Sequence, residues 1–188
     1  MADNSATATK VITGKVRLSY VHLLKPHAIE PGQESKYSAS IIIPKSDKKT
    51  IKAIQSAVAA ATQLGKTSKW GGKIPSNLKN PLRDGDDERS DDEAYQDAYF
   101  VNAYSKTQPG MIDRHKNEIM DPEEIYSGMY ARVSLNFYPY DIAGGRGVAA
   151  GLNNLQKVAD GPYLGGRISA DAEFDEYDDD DDYDPLLG

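Results

Sequence analysis

The residues best suited to acid–base or metal chemistry are three histidines, His22, His27 and His115. No two of them stand four apart, the spacing that would set two ligands on one helix face. A single histidine in the charged stretch Asp113-Arg-His115 is ordinary polar surface unless further groups join it. The block Asp84–Asp97 carries eight acids and one Arg. Together with Asp113 or His115, such carboxylates could gather magnesium for a nuclease or resolvase, although dense charge runs are usually solvated loops. There is no cysteine, which excludes thiolate zinc sites, iron–sulfur clusters, disulfides and cysteine nucleophiles. Gly144-Gly-Arg-Gly147 lacks both the Lys-Ser/Thr of a phosphate-cradling loop and the spacing of a dinucleotide turn. No Gly-x-Ser-x-Gly elbow places a serine nucleophile. No catalytic residue, metal ligand or cofactor is therefore assigned.

The chemistry the residues do support is adhesion to a polyanion. Net charge is −7, but ten of the 29 acids lie in Asp171–Gly188, which has no base. Without that segment 22 basic residues face 19 acidic ones, and the first 83 residues hold 14 basic and four acidic residues. A basic body with an acidic end predicts a polyanion-binding surface and an interaction tail. Single-stranded nucleic acid is held by a basic groove and by aromatic faces on which bases stack. Twelve tyrosines and one tryptophan supply such faces. Along Met129–Tyr140, Ala131, Val133, Leu135 and Phe137 alternate with Tyr130, Arg132, Ser134, Asn136 and Tyr138, and Tyr140 extends the second row. Lys15 and Arg17 form the same kind of outward face on the first strand. Trp70, among Lys66, Lys69 and Lys73 and next to Gly71-Gly72, suits a loop that closes over a strand; its other reading is a plug for the base of that loop. Tyr20 and Tyr37 fall on apolar faces and are expected in the core.

The elements that must position these groups follow from hydrophobic period. Alternation predicts strands over Val11–Val21, Lys36–Ile43, Ala98–Lys106 and Met129–Tyr140, with Val148–Leu152 as a short fifth. Ser46 or Asp47 caps a helix in which Ile51, Ile54, Val58, Ala61 and Leu64 recur at helical spacing, and Gly65 is expected to stop it. Residues 75–95 read as an irregular excursion, Asp121-Pro-Glu-Glu124 as a helix start, and Leu152–Val158 as a short helix. The fold class is thus mainly β: an OB-fold-like five-stranded barrel with one main α-helix and long loops. It is expected over residues 10–167, between a disordered arm at 1–9 and a disordered acidic tail at 168–188. Met1–Thr9 is polar rather than a signal sequence, no stretch is apolar enough to span a membrane, and a reducing cytoplasm suits the chain.

Several stretches carry a family resemblance. They are Lys36-Tyr-Ser-Ala-Ser-Ile-Ile-Ile-Pro-Lys45, Tyr126-Ser-Gly-Met-Tyr-Ala-Arg132, Phe137-Tyr-Pro-Tyr140 and Gly147-Val-Ala-Ala-Gly-Leu-Asn-Asn-Leu-Gln-Lys157, followed by the acidic tail. In order and spacing they resemble a family of bacteriophage single-stranded-DNA-binding proteins, formerly a domain of unknown function. The resemblance implies an OB-fold that coats single-stranded DNA in phage replication or recombination without catalysis. Acidic tails of bacterial single-stranded-DNA-binding proteins commonly end in an aromatic residue that docks on partners; this chain ends Leu-Leu-Gly. The tail residues Asp178, Asp179, Asp180, Asp181 and Asp182 are read as a phosphate mimic for the protein's own groove, and Leu186 and Leu187 as an apolar end for replication or recombination proteins. Phosphate contacts do not themselves select a strand, so duplex DNA is a further ligand to test. A homodimer would extend the few nucleotides one barrel covers, and a phage structural or interaction protein is the remaining non-enzymatic reading.

Overall fold

Five long strands close into a ring. They are β2 (Val16–His27), β3 (Lys36–Pro44), β5 (Ala98–Ser105), β7 (Tyr130–Ile142) and β8 (Gly145–Ala159) in the structure, a computed structural model that describes residues 8–164 and Phe174. β2 pairs β3 and β3 pairs β5 antiparallel; β5 pairs β8 parallel; β8 pairs β7 and β7 pairs β2 antiparallel. This circular order, with one parallel seam, is the five-stranded Greek-key barrel of an OB-fold. Three short strands are added to it: β1 (Lys10–Ile12) on β7, β4 (Arg83–Asp84) on β5 and β6 (Gly110–Ile112) on β8. Residues 1–7 of the arm expected at 1–9, and the acidic tail apart from Phe174, lie outside the described residues. Thr9 is buried, and its carbonyl accepts from the Phe137 N–H.

Alternation builds the core. Leu18, Ile41, Ile43, Val101, Ala103, Ala131, Val133, Leu135, Phe137, Val148, Ala150 and Leu152 all point into the barrel and are buried. Helix α1 (Lys48–Ser68) packs across β7 and β1 through Ile51, Ile54, Ala57, Ala61 and Gly65. Asp47 is its N-cap, accepting from the Thr50 N–H at 3.2 Å. A second, smaller cluster lies outside the barrel, where Tyr95 packs on Ile42, Ala98 and Phe100. The Tyr95 hydroxyl meets Ser40 Oγ at 2.8 Å, so the 85–95 excursion is pinned onto the outer face of β3 and β5.

Four local expectations are corrected. Gly65 does not stop α1, which runs on to Ser68. It is a close-approach site instead, because an added Cβ would lie 2.6 Å from both the Pro139 Cβ and the Trp70 ring. Val11–Val21 is not one strand: Thr13-Gly14-Lys15 separates β1 from β2. Leu152–Val158 is strand, part of the 15-residue β8. The β7–β8 register steps from Ser134↔Asn154 to Leu135↔Leu152, so Asn153 is bulged out. That extra residue buries Leu152 and Leu155 at a spacing of three, which imitates a helix. Tyr20 is not core: it is 52% exposed, at φ +47°, where the β2–β3 register shifts.

Candidate nucleic-acid interface

Three tyrosines converge on the outer face of the barrel. β8 runs between β5 and β7, and its outward positions Gly147, Ala149 and Gly151 are small. In the ladders Tyr104 pairs with Gly151 and Tyr138 with Ala149, so phenol rings rise on both sides of a low strip. Tyr140 continues the β7 row, two residues on. The three tyrosines and Ala149 line a groove of about 1050 Å³, together with Lys36, Lys79 and Asn102. Burial, then the neighbouring Tyr104 and Tyr140, pushes the Tyr138 phenol above its ordinary range. It is therefore a neutral hydrogen-bond donor at physiological pH. Aromatic faces, phenol and ammonium donors in one concave strip are the groups that stack bases and meet phosphates.

Residues 79–84 form one wall. Lys79 N–H donates to the Arg146 carbonyl at 2.9 Å, and the Lys79 carbonyl accepts from Val148 at 3.1 Å. Gly147 is required there, since a Cβ would sit 2.5 Å from the Lys79 carbonyl oxygen. Asp84, Asp87 and Glu88 make the wall acidic further along. Asp84 and Asp86 both pair with Lys45 Nζ, at 2.9 and 2.7 Å, and Glu88 pairs with Arg83 at 2.7 Å. Asp86 also accepts from the Asp97 N–H, and Asp92 caps a 3₁₀ turn. Four of the eight acids considered as magnesium ligands, Asp84, Asp86, Glu88 and Asp92, are thus engaged in ion pairs and caps, and no cluster of three ligating groups occurs among the described residues. Asp113 closes a turn by accepting from the Asn117 and then the His115 N–H group, which holds its carboxyl below its ordinary value.

The residues singled out from sequence fall into three groups. Tyr138 and Tyr140 are in the groove. Lys15, Arg17 and Tyr130 meet at the opposite end of β7, where Lys15 Nζ lies 4.8 Å and the Arg17 guanidinium 5.5 Å from the Tyr130 ring centroid. Arg17 is held there by the Gly128 carbonyl at 3.1 Å and the Pro162 carbonyl at 2.6 Å, while a Cβ on Gly161 would touch the Tyr130 ring at 2.7 Å. Arg132 is exposed beside them, donating from Nε to the Thr13 carbonyl at 3.2 Å. Tyr130 and Tyr140 are ten residues apart on one strand, roughly 30 Å, so these two groups do not share one pocket.

The third group surrounds Trp70. The indole is buried, 8% exposed, and its Nε1–H donates to the Tyr140 carbonyl at 3.3 Å. Of the two readings offered for Trp70, this placement is the packing one. Lys66, expected on the loop, is instead in the last turn of α1, while Lys69 and Lys73 are on the loop that follows; all three are exposed. The tail aspartates Asp178–Asp182 with Leu186 and Leu187 lie outside the described residues. Sequence reasoning missed Tyr104, Asn102, Lys36 and Lys79. The signal for Tyr104 and Asn102 was present: Val101 and Ala103 are inward, so their neighbours in Ala98–Ser105 face out.

This architecture has known counterparts. The single-stranded DNA-binding protein from bacteriophage Enc34, in complex with ssDNA, superposes with a TM-score of 0.71 at 27% identity, covering 84% of this chain and 90% of that one. The gp2.5 single-stranded DNA-binding protein of bacteriophage T7 shares the fold, with a TM-score of 0.59 at 14% identity over 89% of this chain and 98% of its own. A putative protein, p50, of Acyrthosiphon pisum secondary endosymbiont phage 1 is 34% identical over 178 residues, covering 86% of this chain and 93% of its own length. No helix among the described residues is long and apolar enough to cross a membrane. The resemblance seen in the sequence extends over residues 9–184, and the chain belongs to the family of the Enterobacter phage Enc34 ssDNA-binding protein.

Proposed function

We propose that this protein binds single-stranded DNA without cleaving it and coats such strands during phage replication or recombination, in the host cytoplasm. The observation that carries this reading is the Tyr104–Tyr138–Tyr140 groove, flanked by Lys36 and Lys79, on a barrel of this family. Bases stack on the phenol rings while phosphates run along the ammonium groups. The exposed Lys66, Lys69 and Lys73 extend the positive field at the end of β7 that Trp70 fastens, and Lys15, Arg17 and Arg132 supply a second cationic area. The acidic tail competes for the groove or docks replication and recombination proteins.

The test is a fluorescence titration with labelled oligonucleotides, single- and double-stranded, with and without magnesium. Binding to the single strand is expected to be tight, magnesium-independent and free of cleavage. It should fall with salt at a log–log slope of about −0.7 per phosphate contact. Cleavage with magnesium would favour the nuclease reading, and a salt-independent affinity would remove the lysine–phosphate contacts from the account.

A further inference from the structure

Beyond Tyr104 the groove opens into a second recess of about 290 Å³, lined by Tyr20, His22, His27, Ile29, Ser38, Arg89 and the shared Asn102 and Tyr104. The size is at the lower end of cavities that hold small organic ligands. Its construction is unusual. His22 and His27 are five apart, an odd separation that puts side chains on opposite faces of a regular strand. The β2–β3 register shifts between Ser19 and His22 and again between His22 and His27. These irregularities bring both imidazoles to one side, stacked with centroids 4.1 Å apart and planes 8° from parallel. Tyr20, beside them, takes the left-handed backbone at φ +47°. Bulges and strained non-glycine residues concentrate where a side chain must be re-aimed toward a ligand.

The charge around the recess is one-sided. Among the described residues no carboxylate lines it. Arg89 lies over the Tyr20 ring at 5.0 Å, and Lys36 is the ladder partner of His27 on β3. β5 contributes only Asn102 and the Tyr104 phenol. The acids Glu88, Asp91, Asp92 and Glu93 line the neighbouring surface beyond Tyr20 and Arg89.

We propose that this recess is a nucleotide subsite that continues the tyrosine groove, with the stacked His22–His27 pair as its aromatic wall and His22 as its proton-dependent phosphate contact. The inference rests on the single-stranded DNA reading above. A neutral imidazole face stacks on a base, and a protonated one adds a charge-assisted bond to phosphate. Burial, and then His27, hold the His22 pKa below its ordinary value. A strand entering the recess brings the negative charge that favours proton uptake, so DNA affinity rises as pH falls.

The experiment compares the full chain with His22→Ala/His27→Ala and with His115→Ala, titrating labelled oligo-dT at pH 6 and pH 8 at fixed salt. Wild type and His115→Ala should bind more tightly at pH 6, by roughly tenfold for one charge-assisted contact. The double variant should lose most of that gain and weaken at both pH values. Modification of the wild-type chain by diethylpyrocarbonate, read by mass spectrometry, needs no variant: saturating oligo-dT should protect His22 and His27 and leave His115 reactive. If the wild type binds but its pH dependence persists in the folded double variant and both histidines stay reactive, the subsite is overturned and the tyrosine groove stands. If the wild type binds no single strand, both readings fall together.

Discussion

The Trp70 indole N–H donates to the Tyr140 carbonyl at 3.3 Å, and the same ring lies where a side chain on Gly65 would have to go. One contact thus ties the end of α1, its basic loop and the last outward tyrosine of β7 together. The tryptophan is buried against the Tyr140 end of β7.

That relationship predicts the behaviour of both partners. Gly65→Ala forces a methyl into a filled space and should cost about 1–3 kcal/mol of stability, as overpacking does. Trp70→Ala removes a buried aromatic ring and should cost about 3–5 kcal/mol. Urea denaturation measures both. Because Trp70 is the only tryptophan, its emission reports directly on the alternative: saturating oligonucleotide should leave the spectrum nearly unchanged. Strong quenching on binding would return the indole to a base-stacking role.

The groove makes a prediction that separates tyrosines looking alike in sequence. Tyr104→Ala and Tyr138→Ala should each weaken single-strand binding by about 1–3 kcal/mol, the value of a stacked base. Tyr130→Ala should cost much less, because Lys15 and Arg17 lie over its ring and Gly161 closes on its edge. A Tyr130 effect equal to that of Tyr138 would place the strand at the other end of β7.

How much of this was legible follows from where the period of two is regular. β7 keeps strict alternation from Tyr130 to Phe137, and its inward and outward rows are as the sequence predicts. β2 and β8 carry bulges, and there the pattern misleads. Asn153 turns the spacing of Leu152 and Leu155 into a helical one, and the shift after Ser19 turns Tyr20 outward. Gly65 has the composition of a helix stop, but its function depends on Pro139 and Trp70, residues that only the fold brings near. The groove itself needs β5 and β7 on either side of β8, a pairing across the parallel seam for which no local signal exists.

Acid stability should reflect two carboxylates fixed by lysines. The Asp86 carboxyl is held below its ordinary value of 3.8 by the bond from Lys45 and then by the Asp97 N–H. Asp160 is held below the same value by Lys157 and then by the Tyr126 hydroxyl. A depressed folded-state pKa contributes stability that is present above 3.8 and is lost as pH falls through the lowered value. Asp86→Asn and Asp160→Asn should therefore be less stable than wild type at neutral pH and show a flatter loss of stability below about pH 4. Urea midpoints between pH 7 and pH 2 test this. Parallel pH curves for wild type and variants would show that these pairs do not couple to folding.

The last prediction concerns the acidic tail. Deleting Asp171–Gly188 removes ten negative charges and takes the formal net charge from −7 to +3. A segment that visits a basic groove lowers apparent DNA affinity by the fraction of time that it holds the site. Truncation should therefore tighten single-strand binding, most of all at low salt, where the tail's attraction to the groove is least screened. Changing Asp178–Asp182 to Asn should reproduce most of the gain, because the charge run is the competitor. Removing Leu186 and Leu187 alone should leave DNA affinity as it was and weaken partners that read the apolar end. Titrations of the truncated and full chains at several salt concentrations decide the matter. Equal affinities at low salt would rule out self-competition and reduce the tail to a solubilising or partner-docking appendage.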